Sequence, residues 1–203
     1  MLPLDSLNKR LASLSKFDVV VRTTGGPVDV WLTLGEAMQG KLRKLIVDEA
    51  CFSSCANYLI PIAQEIDAGK NSLIVWHGGP TDNSTDILNE TDVPTAIHYD
   101  DLARRTLTLY QAVGVDSKIL QVSSEAPSTS KFRKIFGGTE TALSGYAFSP
   151  VRLTQCFGFR NLKNMWHAGD DKAVAELAQK RSANLIVLES PSTVGDGSFE
   201  CNK

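Results

Sequence analysis

The chain has 203 residues, of which 42% are hydrophobic and 22% charged, and its 21 basic and 23 acidic side chains give a formal net charge of −2. This composition is that of a globular protein with enough apolar residues for a core, and it excludes disordered, collagen-like and disulfide-stapled miniprotein classes. The balanced charge, with no basic run longer than Lys41–Lys44, argues against nucleic acid or an anionic membrane surface as a partner.

No segment of the sequence predicts a membrane span or an export signal. A transmembrane helix needs about 18 to 20 continuous apolar residues, and no stretch approaches that length. Residues 1–16 lack the apolar central region of a signal peptide. We expect a chain without a membrane span that is cytoplasmic as it stands, and periplasmic or secreted if a leader has been removed.

The first fifty residues predict a short helix followed by a β-α-β unit. Leucines at positions 4, 7, 11 and 14 recur at helical spacing, so we assign residues 1–16 to an N-terminal amphipathic helix. Asp18–Arg22 and Leu45–Val47 are apolar runs typical of buried strands, and a glycine turn and a helical pattern at Val28–Met38 separate them. Such a unit implies parallel strands.

The rest of the chain continues to alternate between helices and strands. The predicted elements are a helix at Ala56–Ala63, a strand at Ser72–Trp76, helices at Pro94–Val113 and Asp116–Val122, a strand at Ala142–Phe148, helices at Pro150–Phe157 and Asp171–Arg181, and a strand at Leu185–Leu188. Polar stretches at Thr81–Thr91 and Ser123–Ser130 predict surface loops. We predict an α/β fold with a largely parallel sheet and flanking helices. Its domain spans residues 17–160, and residues 161–203 form a C-terminal extension packed on it.

Three chemically distinctive segments follow successive predicted strands. They are Gly25–Gly26, Ser53–Cys55 at the start of a helix, and His77. The carboxyl ends of parallel strands meet at one edge of a sheet, where ligands and catalytic groups gather. A serine at a helix start has backbone N–H groups beside it that stabilise an oxyanion, and a neighbouring histidine can accept its proton. Each segment alone has an ordinary structural explanation, but together they predict a nucleophilic serine site.

The cysteines do not predict a metal site. Cys51, Cys55, Cys156 and Cys201 lack the spacing of zinc ligands. Cys51 and Cys55 are four residues apart, which on a helix places them on one face. They are therefore either joined by a disulfide bond or buried as free thiols.

These segments resemble motifs of the Clp protease proteolytic subunit, within the Clp/crotonase superfamily. Thr24–Val28 is similar to the family's Ser-Pro-Gly-Gly turn, and Ala50–Ala56 is similar to its Gly-x-Ala-Ala-Ser-Met-Gly nucleophile turn. Asn71–His77 is similar to its Asn-Ser-Arg-x-x-x-His strand. The likeness covers Val19–Phe159. The pattern Cys-x-Ser-Ser-Cys-Ala looks closer still to an uncharacterised bacterial branch of the superfamily whose members are often exported.

The resemblance implies a β-α superhelix that catalyses acyl transfer on a peptide or other acyl substrate without a cofactor. It places Ser54 on the nucleophile, because its distance of 28 positions from Gly26 (54 − 26) matches the family's interval, and it places His77 on the general base. It assigns the oxyanion hole to the backbone N–H groups of Gly26 and Cys55, with Gly25 permitting the turn. It also implies a homo-oligomer, to which the N-terminal helix and the long predicted helix could contribute.

One member of the family's catalytic triad has no counterpart in this sequence. The family has a Leu-Ser-x-x-x-Ala-x-x-x-Gly segment, which Phe148–Gly158 resembles, and carries an aspartate a few residues before it. The corresponding stretch here, Thr141–Tyr146, contains no aspartate. Glu140 is the nearest candidate for orienting the histidine. Asp100, Asp101 and Glu125 are alternatives that a different loop path would deliver.

Three functions therefore stay open from the sequence. The first is a serine hydrolase, with peptidase as the leading activity. The second is a catalytically inactive protein that keeps the fold for binding or as a scaffold, and the missing aspartate favours it. The third is an acyl-CoA-handling crotonase, which the serine and histidine pair disfavours because those enzymes usually use carboxylates as acid and base.

Overall fold

A computed structural model describes residues 4–80, 93–124, 143–167, 173–174, 176–177, 180 and 185–188. The principal helices are α1 (Leu4–Ser13), α2 (Val28–Met38), α3 (Ser54–Leu59), α4 (Val93–Val113), α5 (Lys118–Ser124) and α6 (Pro150–Phe157). The strands are β1 (Phe17–Thr23), β2 (Leu42–Phe52), β3 (Glu65–Ala68), β4 (Leu73–Val75), β5 (Leu143–Tyr146), β6 (Asn164–Met165) and β7 (Leu185–Leu188).

The strands pair in parallel, which confirms the predicted α/β class with a largely parallel sheet. In the larger sheet the order is β1-β2-β3-β6, and β4 also pairs with β2. β5 and β7 form a second, two-stranded parallel sheet. An antiparallel bridge between Trp76 and Tyr146 joins the residue after β4 to the end of β5. The two sheets are thus connected beside the predicted histidine.

β2 has different neighbours along its two halves. Its first half pairs with β3 over Lys44–Val47, and its second half pairs with β4 over Ala50–Phe52. Glu49 lies between the halves with φ +77°, and the register with β1 shifts in the same region. This irregularity moves β2 from one neighbour to the next. The carboxyl end of β2 consequently lies between those of β1 and β4.

Aromatic side chains fill the core next to these strand ends. Trp76 is fully buried, and its ring centroid lies 5.8 Å from that of Phe148 and 6.2 Å from that of Phe159. On α4, the Tyr110 hydroxyl donates to the Asn57 carbonyl of α3 (2.9 Å), which ties the two helices together. The residue that follows Trp76 is therefore anchored to a rigid part of the molecule.

Several elements differ from those that the sequence predicts. The pattern does not predict β3, because Glu-Ile-Asp-Ala is short and half polar. β2 extends past the predicted run to Phe52, since it gains β4 as a partner. Helix α3 ends four residues before the predicted Ala63, because Pro61 cannot donate a helical N–H.

Part of the predicted organisation lies outside the described residues. The loop Thr81–Thr91 does so entirely, and Ser123–Ser130 does so beyond Ser124. Among the residues that are described, no helix combines the length and the apolarity needed to cross a lipid bilayer.

Candidate active site

The carboxyl ends of β1, β2 and β4 meet at one edge of the larger sheet. The residue pairs Thr23–Cys51 and Phe52–Val75 align these ends in parallel register. The glycine turn, the serine turn and the histidine follow these three strands directly, so they leave the sheet at the same edge. The prediction that these segments come together is confirmed.

Ser53 has a backbone conformation that non-glycine residues rarely adopt, with φ 57° and ψ −126°. Strain of this kind costs of order 1–3 kcal/mol and persists only where the surroundings enforce it. The Ser53 N–H donates to the Val75 carbonyl (2.8 Å), and the Ser53 carbonyl accepts from the Asn57 N–H (2.9 Å). The result is a sharp strand-to-helix turn, the kind of turn that exposes the nucleophilic serine in α/β-hydrolases.

The two adjacent serines have different partners. Ser53 Oγ lies 2.6 Å from His77 Nε2. Ser54 is buried (2% exposed), and its Oγ donates to the Gly26 carbonyl at 2.8 Å. The sequence predicts that Ser54 pairs with His77. In the structure the serine that contacts His77 is Ser53. The physical reason is that Ser54 is already the first residue of α3, where its side chain turns back toward the glycine turn.

Two backbone N–H groups beside Ser53 are free to bind an oxyanion. Within the described part of the chain, neither the Gly26 N–H nor the Ser54 N–H has a hydrogen-bond acceptor. The Gly25 N–H, by contrast, donates to Thr23 Oγ1 at 3.1 Å. Cys55, predicted as a donor, follows Ser54 rather than the serine that contacts His77. The candidate oxyanion donors are therefore the N–H groups of Ser54, directly after Ser53, and of Gly26 in the glycine turn.

The glycine turn packs directly on the serine turn. A Cβ atom at Gly25 would lie 2.7 Å from the Phe52 carbonyl oxygen and 2.9 Å from Ser53 Cβ. Gly25 also has φ +95°, a conformation that glycine adopts at little cost. Both observations require glycine at this position, and they explain how the glycine turn comes close enough for the Ser54 hydroxyl to bond to the Gly26 carbonyl.

His77 is half-buried, and its desolvation lowers the pKa of the imidazole below the ordinary histidine value. Burial thus favours the neutral ring, which is the form that can accept a proton. An imidazole that accepts a hydrogen bond at Nε2 carries its proton on Nδ1. The ring can therefore act as a base toward the Ser53 hydroxyl.

The group that would orient His77 is not found in the described parts of the chain. There, the ring forms one hydrogen bond, to Ser53. Glu140, the predicted third member, lies outside the described residues, as does Glu125. Asp101 forms ion pairs with two arginines on its own helix, and Asp100 is exposed.

A disulfide bond encloses the serine turn. Cys51 and Cys55 are bonded to each other, which is one of the two alternatives that the sequence leaves open, and both are fully buried. Cys156 on α6 is also disulfide-bonded. In the described ranges no group of three or more histidine, cysteine, aspartate or glutamate side chains is arranged to hold a metal ion.

Sequence reasoning misses one further residue of this site. Asn57, one turn after Ser53 along α3, is buried (2% exposed), and its side-chain amide donates to the Gly78 carbonyl at 2.8 Å. Gly78 directly follows His77, so this bond fixes the turn that carries His77. The detectable signal was a single amide side chain in an otherwise apolar helix.

No family model matches the sequence, and neither a curated protein nor a solved structure is significantly similar to it.

Proposed function

We propose that this protein is a serine hydrolase in which Ser53 is the nucleophile and His77 the general base. The observation that carries the proposal is the 2.6 Å separation of Ser53 Oγ and His77 Nε2 at a strained strand-to-helix turn. A nucleophile within hydrogen-bond reach of its base is the diagnostic arrangement for covalent catalysis by serine. Ser53 takes the role for which the sequence pattern predicts Ser54.

The reaction is acyl transfer in two steps. Ser53 Oγ attacks the substrate carbonyl while His77 Nε2 takes the hydroxyl proton, and the resulting oxyanion binds the free N–H groups of Gly26 and Ser54. The tetrahedral intermediate then expels the leaving group, to which His77 gives the proton. The acyl group stays bound to Ser53 Oγ as an ester. Water, deprotonated by His77, hydrolyses this ester and restores the free hydroxyl.

The proposal extends to the β-α superhelix of the Clp/crotonase superfamily and to peptides or other acyl compounds as substrates. Three motifs that occur in the family's order, each at the carboxyl end of a parallel strand, support it. The homo-oligomer implied by the same resemblance belongs to this proposal. Its support is the resemblance alone.

A fluorophosphonate probe, which phosphonylates activated serines, tests the proposed reaction. We expect one adduct in the intact mass of the native protein and no adduct in Ser53→Ala or His77→Ala. Ser54→Ala is the matched control, because it removes the neighbouring hydroxyl but keeps the backbone N–H, and it should still form the adduct. Loss of the adduct in Ser54→Ala, with retention in Ser53→Ala, would contradict the assignment.

A second candidate function is a binding protein that keeps the fold without catalysis. The observation that favours it is the missing partner of His77 Nδ1 among the described residues. Without such a partner the imidazole can adopt the other tautomer, in which Nε2 carries the proton and cannot act as the base. A folded sample that forms no phosphonate adduct would support this function over hydrolysis.

A further inference from the structure

The Cys51–Cys55 disulfide connects the two elements between which Ser53 is held. Cys51 lies near the end of β2, where it pairs with Thr23 of β1 on one side and with Ile74 of β4 on the other. Cys55 is the second residue of α3. The bond therefore joins the centre of the sheet edge to the first turn of the helix, across the residue that contacts His77.

Ser53 needs such support, because its backbone is strained. At φ 57° a non-glycine residue would lower its free energy by rotating back to a common conformation. Two backbone hydrogen bonds oppose that rotation, one to Val75 and one from Asn57. Rotation would also swing the hydroxyl away from His77 Nε2 and break the 2.6 Å contact.

The disulfide is poorly suited to other roles. The stabilisation that a cross-link gives by restricting the unfolded chain increases with the length of the loop it closes, and this loop spans a sequence separation of only 4. A redox switch needs access for a reductant, whereas both cysteines are 0% exposed. A permanent, local constraint fits both observations.

We propose that the Cys51–Cys55 disulfide is a positioning device that holds the strained Ser53 turn, so that the hydroxyl stays on His77 Nε2. This inference rests on the proposed role of Ser53 as the nucleophile and adds the residues that orient it. The disulfide itself takes no part in the chemical steps. Its contribution is preorganisation of the Ser53 hydroxyl. Misplacing a reacting group by about 1 Å lowers the rate by about 100-fold.

The test compares two double variants with the native protein. Cys51→Ala with Cys55→Ala removes the disulfide at the serine turn, and Cys156→Ala with Cys201→Ala removes the other two cysteines as the matched control. Two quantities are measured: the rate of fluorophosphonate labelling at Ser53, and the nitrogen-15 chemical shift of His77 Nε2, which reports the hydrogen bond from the Ser53 hydroxyl. We expect the first variant to label about tenfold more slowly or worse and to show a shifted Nε2 signal, and the control to match the native protein in both.

The nitrogen signal separates this inference from the proposed function. If the fluorophosphonate does not label the native protein, the proposed hydrolase function is wrong. The Nε2 shift still decides whether the disulfide holds the Ser53 hydroxyl on His77. If the first variant labels at the native rate and keeps the native Nε2 shift, the positioning role is overturned. Should the double alanine variant fail to fold, Cys51→Val with Cys55→Ala restores most of the buried volume and is measured in the same way.

Discussion

The hydroxyl groups of Ser53 and Ser54 belong to adjacent residues, but different parts of the fold hold them. Ser53 is the last residue before α3, where the reversal of the chain directs its side chain to His77. Ser54 lies one residue further, within the helix, and its hydroxyl bonds to the carbonyl of Gly26. A single residue of difference in position thus separates a candidate nucleophile from a structural hydroxyl.

The lowered pKa of His77 sets the pH dependence of the site. The base must be neutral, and burial shifts its deprotonation below the ordinary value of 6.5. We expect the rate of phosphonate labelling to rise with pH, with a midpoint below 6.5, and to be constant above it. A pH series of labelling rates checks this, and a midpoint above 6.5 would mean that an unidentified negative charge stabilises the protonated ring.

The interval between Gly26 and Ser54 illustrates what the sequence can predict at this scale. The spacing places Ser54 on the nucleophile, but in the structure the Ser54 hydroxyl bonds to the Gly26 carbonyl and Ser53 contacts His77. The spacing does not identify the hydroxyl that contacts His77, because that contact depends on the positive φ of Ser53, which cannot be inferred from the residue type. The spacing therefore locates the site, and the backbone conformation selects the residue.

At the scale of elements, the site depends on how closely two turns approach each other. Gly25 belongs to the loop between β1 and α2, and its neighbours are the end of β2 and the start of α3. Only glycine fits between the end of β2 and the start of α3. The glycine pair in the sequence predicts a turn here, but it does not predict this contact. That contact holds the glycine turn against Ser53 and Ser54.

Gly25→Ala tests this packing, with Gly40→Ala as the matched control. Both glycines have positive φ (+95° and +75°), so both variants are strained, but only Gly25 has neighbours within 4 Å of the added methyl group. We expect Gly25→Ala to lower the free energy of unfolding by about 1–3 kcal/mol more than Gly40→Ala does, and to abolish labelling. Urea denaturation measures the first quantity. Equal losses in the two variants would contradict the packing argument.

At the scale of the whole molecule, distant segments close around α3. Asn161, at the start of the predicted C-terminal extension, donates from its side-chain amide to the carbonyls of Ile60 and Ala63 at 2.8 Å each. These carbonyls follow the end of α3, where the helix leaves acceptors without helical partners. The chain beyond residue 160 thus supports the helix that carries the serine turn.

Asn161→Ala should therefore destabilise the fold as a whole. Two carbonyls lose their donor, which predicts a decrease of about 1–3 kcal/mol in the free energy of unfolding. Asn164→Ala is the control: Asn164 is exposed, and within the described residues its side chain donates only to Glu65, so its loss should change stability by less than about 0.5 kcal/mol. Chemical denaturation of both variants measures the difference, and similar values would show that Asn161 does not support α3.

The sequence predicts the architecture better than the details. Short apolar runs, a glycine turn and an intervening helical pattern are sufficient to predict parallel strands with the site at their carboxyl ends, because continuous apolar runs of this kind indicate buried strands. The change of neighbour along β2 is not predictable, since it depends on one positive φ at Glu49. β3 is also missed, because four half-polar residues carry too little pattern to be distinguished from a loop.

We propose that Ser53, and not its neighbour Ser54, carries the activated hydroxyl. The most direct test is to label the unmodified chain with a fluorophosphonate, digest it and analyse the peptide by tandem mass spectrometry. Fragment ions from cleavage between residues 53 and 54 show which serine carries the phosphonate. The 2.6 Å contact with His77 predicts the modification on Ser53. A modification on Ser54 would contradict the assignment of Ser53 as the nucleophile.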